Sequence, residues 1–423
     1  VDNAGTVTLD YNDLYTAGTV LVDWQNTGYA TLSEYQSSTG QGANSVSADP
    51  AYASATDLTP SSPFLDDEGT DLTATVPTDI NGSERTAPVS MGAVEYTAPQ
   101  PPLSGTLTVG GASPDYTDLS SVVSALTTQG VDGAVTVEVR DGTYNESVEI
   151  TPIGGASAQN TITFRSASGD SSAVVIESTG AEGSEPLRLN GADHLRFREL
   201  TLQATRTENY QPVRSAYLRS QVDNVQFSRM QFLGYDGRDD NEQVGLYAPT
   251  STITTDLVVD SSRFGASESG VYLRGDNNNR STGTRIRQNV FGDGTLAGPD
   301  YRGIYLQYHG DGLAVSGNRM SGPNRAIYVD RTGSSGARPL VANNMLNVSG
   351  SGNRGITTGY NVDAQIFHNA VRMTGGARAA FFQNGGSSSL EVKNNIFAME
   401  SGPVLEVDNA GTVTLDYNDL YTA

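Results

Sequence analysis

The stretch TVTLDYNDL, at Thr412–Leu420, contains the pattern that decides the fold. A short alternating strand ends at Leu415, an asparagine follows three residues later at Asn418, and a second apolar residue follows five residues later at Leu420. Alternation of this kind predicts a β-strand with one buried face. Only five positions separate the two apolar residues, so a turn lies between them. The stretch therefore predicts two short strands that meet at a corner.

From residue 195 onward, the same spacing recurs at intervals of 23 to 32 residues. The strands end at Phe197, Phe227, Val259, Ile286, Val315, Val341, Ile366, Val392 and Leu415. The second apolar residues are Leu202, Phe232, Phe264, Phe291, Met320, Leu346, Val371, Phe397 and Leu420. A period this short buries all its inward side chains if the chain winds once per period and each coil stacks on the one before. We therefore predict an all-β parallel β-helix solenoid.

Six successive coils carry an asparagine three residues after the strand. These are Asn289, Asn318, Asn344, Asn369, Asn395 and Asn418. Asparagine tolerates the left-handed backbone of a sharp corner, and stacked asparagines can form hydrogen bonds from coil to coil. A row of ligands for a sugar or an ion is the alternative. We favour a structural ladder, because a binding site would not need six copies flanked by core residues.

Two further segments predict how the solenoid is closed. Apolar residues follow one face of a helix from about residue 117 to 129, with Thr117 as the expected N-cap and Gly130 as the stop. We expect a short N-terminal capping helix there. Residues 31–98 show no period and are dominated by turn residues, so we expect them to form an irregular closing segment.

The sequence VDNAGTVTLDYNDLYTA occurs twice without a change, at 1–17 and at 407–423. The 406-residue offset predicts a window cut from a longer tandem array. We expect residues 1–98 to be the last coils and closing segment of one unit, 99–103 a proline-rich linker, and 104–423 the capping helix and coils of the next unit. The two copies should have the same local conformation.

The composition excludes several classes of function. A net charge of −23 argues against binding to nucleic acid or to an anionic membrane surface. No apolar run reaches the length of a membrane span, so we expect no membrane insertion. The chain has no cysteine, which excludes disulfides and cysteine-based metal or nucleophile chemistry. No motif in the sequence requires a cofactor.

Two regions resemble bacterial right-handed parallel β-helix surface proteins, especially those of the Bacteroidota. The opening of such proteins is similar to SPDYTDLSSVVSAL at 113–126 and VDGAVTVEVRDGTYNESVEI at 131–150. Their closing segment is similar to DLTPSSPFLDDEG at 57–69 and MGAVEY at 91–96. Here the closing segment precedes the opening, the rotated order that a tandem array explains. The resemblance implies right-handed coils, export, often by type IX secretion, and display at the cell surface.

The duplication and the resemblance together predict a non-catalytic structural repeat of a giant extracellular fibre or stalk-like adhesin at the bacterial cell surface. Its expected partners are neighbouring units of the same protein, joined covalently or end to end. Surface glycans are a further candidate partner. On this hypothesis no active site is needed.

A polysaccharide-active enzyme, either a lyase or a glycoside hydrolase, is the main alternative, because such enzymes also use parallel β-helices. Asp239 and Asp240 offer a carboxylate pair, and His309 offers a base. Arg285 and Arg287 precede the histidine, whereas in polygalacturonases the basic element follows it, and alternation places both arginines on the outside. We therefore assign no catalytic residue and keep Asp239, Asp240 and His309 as the enzyme candidates.

A binding module for glycans or Ca²⁺ is the third hypothesis. The acidic loops at 66–71 and 310–312 contain the oxygen ligands that Ca²⁺ prefers. Such clusters also arise as solvated loops in an acidic chain, so no metal site is assigned and Ca²⁺ stays an open candidate. Tyrosines at strand positions, such as Tyr272, Tyr305 and Tyr328, are expected to form an outward or edge-facing stack.

Overall fold

The computed structural model describes residues 7–16, 18–52, 54–98, 100–179, 185–205, 213–234, 243–265, 267–293, 297–333, 336–386, 388–408 and 411–423. The chain divides into two compact units, Val1–Pro101 and Pro102–Ala423. The division lies within the proline-rich stretch at 99–103. The first strand of the second unit begins at Leu103.

The first unit contains little regular structure in its described residues. The strands Val22–Trp24 and Thr27–Tyr29 form an antiparallel hairpin, and a helix, α1, follows at Leu32–Thr39. From residue 40 to residue 98 the described backbone forms turns and isolated bridges only. An irregular closing segment is therefore present, with one unpredicted helix at its start.

Helix α1 escaped the sequence prediction because Tyr35 is its only buried residue, so no apolar period marks it. Its ends nevertheless carry clear signals. Thr31 and Glu34 form a reciprocal capping box, and Gly40 ends the helix with a φ of 68°. The capping residues would have identified this helix where hydrophobic spacing could not.

The second unit is a right-handed parallel β-helix, which confirms the predicted fold class. Its described strands form three long sheets, in which each strand pairs in parallel with strands of the neighbouring coils. The first sheet contains Leu103–Val109, Val131–Val139, Ile162–Ser166, Leu195–Arg198, Gln226–Ser228, Val258–Asp260, Arg285–Arg287, Ala314–Ser316, Leu340–Ala342, Asp363–Phe367, Ser389–Lys393 and Thr412–Asp416. The second contains Gly142–Asn145, Val174–Thr179, Thr201–Thr205, Gln231–Leu233, Arg263–Gly265, Val290–Phe291, Arg319–Ser321, Met345–Ser349, Ala370–Thr374, Ile396–Met399 and Asp419–Thr422.

The third sheet contains Val148–Ile150, Leu187–Asn190, Val213–Arg219, Gln243–Ala248, Ser269–Arg274, Arg302–Gln307, Arg325–Asp330, Arg354–Thr358, Ala379–Asn384 and Leu405–Asp408. Gln221–Asp223 and Ile253–Thr255 form a further two-stranded parallel sheet. The three long sheets enclose one continuous apolar core. Every coil is therefore held both by its inward side chains and by backbone hydrogen bonds to its neighbours.

The inward positions predicted from the coil spacing are neighbours in the structure. In the first sheet the inward residues of neighbouring coils are register partners, as in the pairs Phe197–Phe227 and Val392–Leu415. The second sheet shows the same pairing between its inward residues. The rings of Phe197 and Phe227 lie 5.2 Å apart and are nearly parallel. Burying each such ring stabilises the folded state by roughly 1.5–3 kcal/mol. The repeated spacing thus sets the core.

Helix α2, Leu119–Gln129, lies at the N-terminal end of the β-helix and packs into its core. Its start was predicted too early, because the N-cap is Asp118 and not Thr117. The Asp118 carboxylate accepts a hydrogen bond from the Ser121 N–H at 2.8 Å, and a charged acceptor is favoured at a helix N-terminus. Of the helices in the described residues, none has the length and apolar character of a membrane span.

The two copies of the repeated sequence share a corner but differ in pairing. Tyr11 and Tyr417 have φ values of 55° and 53°, and each donates its N–H to the preceding aspartate at 3.0 Å. The second copy forms strands of the first and second sheets. The described part of the first copy forms one isolated bridge, from Asp13 to Val46. The expected common conformation is therefore correct at the corner and wrong for the strands, since only the second copy pairs with a preceding coil.

Candidate functional site

The six asparagines lie in one row along the inside of a corner of the β-helix. The five from Asn289 to Asn395 are at most 1% exposed, whereas Asn418 in the last coil is partly exposed. The row is a polar ladder within an otherwise apolar interior. Its five buried amides are closed to a sugar or an ion from solvent.

Each asparagine joins three coils. The Asn318 side-chain amide donates to Asn344 Oδ1 at 3.0 Å and to the Ile286 carbonyl, in the coil before it, at 2.9 Å. Asn344 Oδ1 also accepts the Asn318 backbone N–H at 3.0 Å. Because buried polar groups are costly when unpaired, each rung stabilises the backbone on both sides of it.

A serine occupies the first rung of the ladder. The Ser262 hydroxyl accepts the Met230 N–H at 3.1 Å, and the Ser262 N–H donates to Asn289 Oδ1 at 2.9 Å. A hydroxyl oxygen can therefore replace the amide oxygen where the ladder ends.

The left-handed residue of each corner is not the asparagine but the residue before it. Gln288, Asn343 and Asn394, for example, have φ values of 57°, 56° and 59°. The expectation that the ladder asparagines adopt this conformation is wrong. Asparagine recurs at this position because its side-chain amide points inward and forms hydrogen bonds with the next coil.

The outer face of the third sheet carries a row of aromatic rings, as expected for the tyrosines. The rings of Tyr217, Tyr247, Tyr272, Tyr305 and Tyr328 follow one another with centroids 4.6 to 5.6 Å apart. Burial raises the pKa of Tyr305 and Tyr328 above the ordinary value. These phenols are therefore neutral throughout the physiological range and act as flat polar-edged surfaces.

Arginines lie beside the aromatic row. Arg302, Arg325 and Arg354 are register partners in three successive strands. The Arg325 guanidinium lies 5.2 Å from the Tyr301 ring centroid, and that of Arg354 lies 4.2 Å from the Phe382 ring centroid. Such contacts orient a guanidinium while leaving its hydrogen-bond donors free. The sequence signal for this row is an arginine at the start of successive strands, which hydrophobic spacing does not reveal.

Two of these arginines form no direct ion pair with a described carboxylate. No described carboxylate oxygen lies within 4.0 Å of the guanidinium nitrogens of Arg325 or Arg354. Burial, with the charges of Arg325 and Arg378, lowers the pKa of Arg354, and the nearby Glu406 carboxylate opposes this shift. In a chain of net charge −23, two adjacent arginines without a direct ion pair are suited to binding an anionic group.

The enzyme candidates do not form a described constellation. The His309 side chain is fully buried, and burial lowers its pKa to about 4, so the imidazole is neutral at pH 7. Asp239 and Asp240 lie outside the described residues. Arg285 and Arg287 are exposed, as alternation predicts. The enzyme hypothesis thus stays a prediction.

The acidic loop at 66–71 uses its carboxylates within the closing segment. Asp66 accepts hydrogen bonds from Ser90 Oγ at 3.1 Å and from the Ala98 N–H at 3.0 Å. Asp71 accepts the Thr73 N–H at 3.0 Å. Across the described ranges, no group of three or more His, Asp or Glu side chains is placed to hold a metal ion.

Residues 228–421 match the family model described as "Periplasmic copper-binding protein (NosD)". No curated protein matches the chain. The match supports a parallel β-helix protein. The histidines and carboxylates do not fit a copper site: His194, His309 and His368 lie in different coils, and no three His, Asp or Glu side chains of the described residues cluster. No step that requires copper is therefore derived.

Solved structures of similar fold include carbohydrate-active enzymes. A GH136 lacto-N-biosidase from Eubacterium ramulus has 10% identity and a TM-score of 0.46, covering 74% of this chain and 68% of that chain. A pectin methylesterase from Aspergillus niger has 11% identity and a TM-score of 0.34, covering 76% and 86%. A mannuronic acid specific polysaccharide family 6 lyase from human gut microbiota has 11% identity and a TM-score of 0.34, covering 72% and 82%. No residue role is transferred from them.

Proposed function

We propose that this chain is a structural repeat of an extracellular fibre or stalk at a bacterial cell surface, with no catalytic role. The observation that carries the proposal is the unchanged recurrence of 17 residues at an offset of 406. A compact enzyme has no reason to duplicate a coil of its own scaffold at the other end of its chain. A tandem array of units requires the duplication.

The interior supports a mechanical role. The first sheet has 12 described strands, so about 50 Å separate its ends at roughly 4.8 Å per strand. Asparagine and phenylalanine rungs connect successive coils along much of that length. Contacts of this kind resist separation of the coils and produce an elongated rod.

Immunogold electron microscopy of the source cells tests this function. Antibodies to the purified chain should label surface fibres at several points along each fibre, because each repeat presents the same epitope. A single label per molecule, or a label confined to the periplasm, would contradict the proposal.

A second candidate function is binding of an anionic polysaccharide, and the adjacent pair Arg325–Arg354, which forms no direct ion pair, favours it. The two guanidiniums lie on adjacent strands beside aromatic rings. Guanidiniums form charge-assisted hydrogen bonds with carboxylates, so carboxylates of an acidic sugar chain could bind across these two coils. The site would bind such a chain without cleaving it.

Affinity electrophoresis with polygalacturonate, and with neutral dextran as the control polymer, tests the second candidate. The double variant Arg325→Gln/Arg354→Gln should weaken retardation by polygalacturonate about tenfold, in line with the loss of two charged contacts. Arg319→Gln is the matched control, since Arg319 is an exposed arginine on the second sheet. The site would be excluded if polygalacturonate retarded all three proteins equally, or if it did not retard the unmodified chain.

A further inference from the structure

The last coil of the β-helix is open to solvent although its sequence is that of a core coil. Leu415 and Leu420 are 42% and 50% exposed, whereas their register partners Val392 and Phe397 are fully buried. Tyr417 and Tyr421 are also exposed. Within the second unit, this edge lacks the cover that every earlier coil receives.

The open edge has a defined set of free backbone groups. Thr412, Asp419 and Ala423 donate their N–H groups to the preceding coil. Consecutive residues of a strand direct their N–H groups to opposite edges. Leu415 is three positions after Thr412 and Leu420 is one position after Asp419, so their N–H groups point to the open edge.

The first unit shows what binds this sequence. Residues 7–16 repeat 413–422, and the first unit holds them against residues 41–49. The Leu14 N–H donates to the Val46 carbonyl at 2.9 Å, and the Gly42 N–H donates to the Leu9 carbonyl at 2.7 Å. Leu9 and Leu14 are the equivalents of Leu415 and Leu420. The bound edge in one copy is therefore the free edge in the other.

The contact also continues the asparagine ladder. The Asn12 N–H donates to Ser45 Oγ at 3.2 Å, and the Val46 N–H donates to the Asn12 carbonyl at 3.0 Å. In the β-helix, the Asn395 N–H donates to Asn418 Oδ1 at 3.0 Å, and the Asp419 N–H donates to the Asn395 carbonyl at 2.8 Å. Ser45 and Val46 thus repeat the bonds of the next coil, with serine at the terminal rung.

Side chains add specificity to this contact. Asp10 accepts the Asn44 N–H at 2.6 Å and its side-chain amide at 2.8 Å. Asp13 accepts the Ala48 N–H at 3.0 Å. The equivalent residues in the second copy, Asp416 and Asp419, are exposed.

We propose that the open coil at 412–422 is the docking surface for residues 41–49 of a further copy of the segment 18–98, which follows it as the start of the next repeat. The proposal rests on the repeat function proposed above and adds its joint. Ser45 and Val46 close the asparagine ladder of the preceding coils, and the segment covers part of the exposed leucines, whose equivalents Leu9 and Leu14 are half-buried in the first unit.

An engineered disulfide tests the docking in the full chain extended after Ala423 by a second copy of residues 18–98. Asp13 and Val46 are bridge partners in the first unit, so Asp419 and Val46 of the appended copy should be partners too. Adjacent parallel strands lie within the span of a disulfide. The chain has no native cysteine, so Asp419→Cys with Val46→Cys in the appended copy gives one possible bond.

The expected result is a disulfide that forms at least about tenfold faster than in a matched control pairing Asp419→Cys with Asp71→Cys of the appended copy, an exposed site away from the contact. Asp13→Cys with Val46→Cys in the original chain verifies that the geometry supports the bond. Equal rates for the two appended pairs would overturn the proposal, whether or not the appended segment folds. If antibodies label surface fibres but this disulfide does not form faster than the control, the docking proposal is rejected and the fibre function stands. If the disulfide forms but no surface fibre is labelled, the surface location is rejected and the docking stands.

Discussion

One asparagine per coil supplies hydrogen bonds that the backbone at the corner cannot supply for itself. The left-handed residue before each asparagine turns the chain, and the amide then reaches the coils on either side. Because the turn and the hydrogen bonds are supplied by two different residues, only the second position requires asparagine. The left-handed position varies among Gln288, Asn343, His368 and Tyr417, since it only has to turn the chain.

Asn344→Ala tests the ladder at its centre. The substitution removes the acceptor for two Asn318 donors and the donor to the Val315 carbonyl. We expect a loss of about 3 kcal/mol in the free energy of unfolding, because buried polar groups are left unpaired. Urea denaturation measures it. Asn347→Ala, at an exposed position of the same coil, should change the stability by less than about 0.5 kcal/mol, and equal effects would contradict the structural role.

His309 predicts a dependence of stability on pH. Its pKa of about 4 lies below the ordinary value of 6.5, so the unfolded chain takes up a proton first as the pH falls. The stabilisation is fully present above about pH 6.5 and is lost progressively toward pH 4, by on the order of 3 kcal/mol.

The measurement is the difference in unfolding free energy between the unmodified chain and His309→Gln from pH 7 to pH 4. The unmodified chain should lose more stability than the variant over this range. His368→Gln, at an exposed histidine, should follow the unmodified chain. Parallel curves for all three proteins would contradict the assignment of a buried neutral imidazole.

At the scale of elements, capping decides where the helices begin. Asp118→Ala should destabilise the second unit by about 1 kcal/mol, since the carboxylate accepts from the Ser121 N–H and hydroxyl. Thr117→Ala should have a smaller effect, because the Thr117 hydroxyl donates only to Asp118 among its described contacts. Thermal unfolding by circular dichroism compares them. A larger loss for Thr117→Ala would restore the cap expected from the sequence.

Elements were predictable from the sequence wherever one coil had to match the next. Strand positions such as Phe227 and Phe232 were identified because register and burial repeat in every coil. Helix α1 was not identified, since a single buried tyrosine gives no period. The arginine row was missed for a related reason: charged residues on an outer face contribute nothing to a hydrophobic pattern, and only three-dimensional register shows that Arg325 and Arg354 are adjacent.

At the scale of the whole molecule, helix α2 covers the first coil of the β-helix, whereas the last coil is exposed. Apolar side chains of α2 join the core at the N-terminal end, and Leu415 and Leu420 leave the core unfinished at the other. Exposed strand edges invite pairing with another segment. The sequence that completes this edge is present in the chain, at 41–49, where it completes the other copy.

Sequencing the gene beyond the codon for Ala423 tests the central claim most directly. A repeat whose open coil is completed by the next unit must continue as GTVLVDWQ, the sequence found at Gly18–Gln25 after the first copy. We expect that continuation, followed by a closing segment with the serine of the terminal rung. An unrelated sequence or a stop codon at that point would contradict the account.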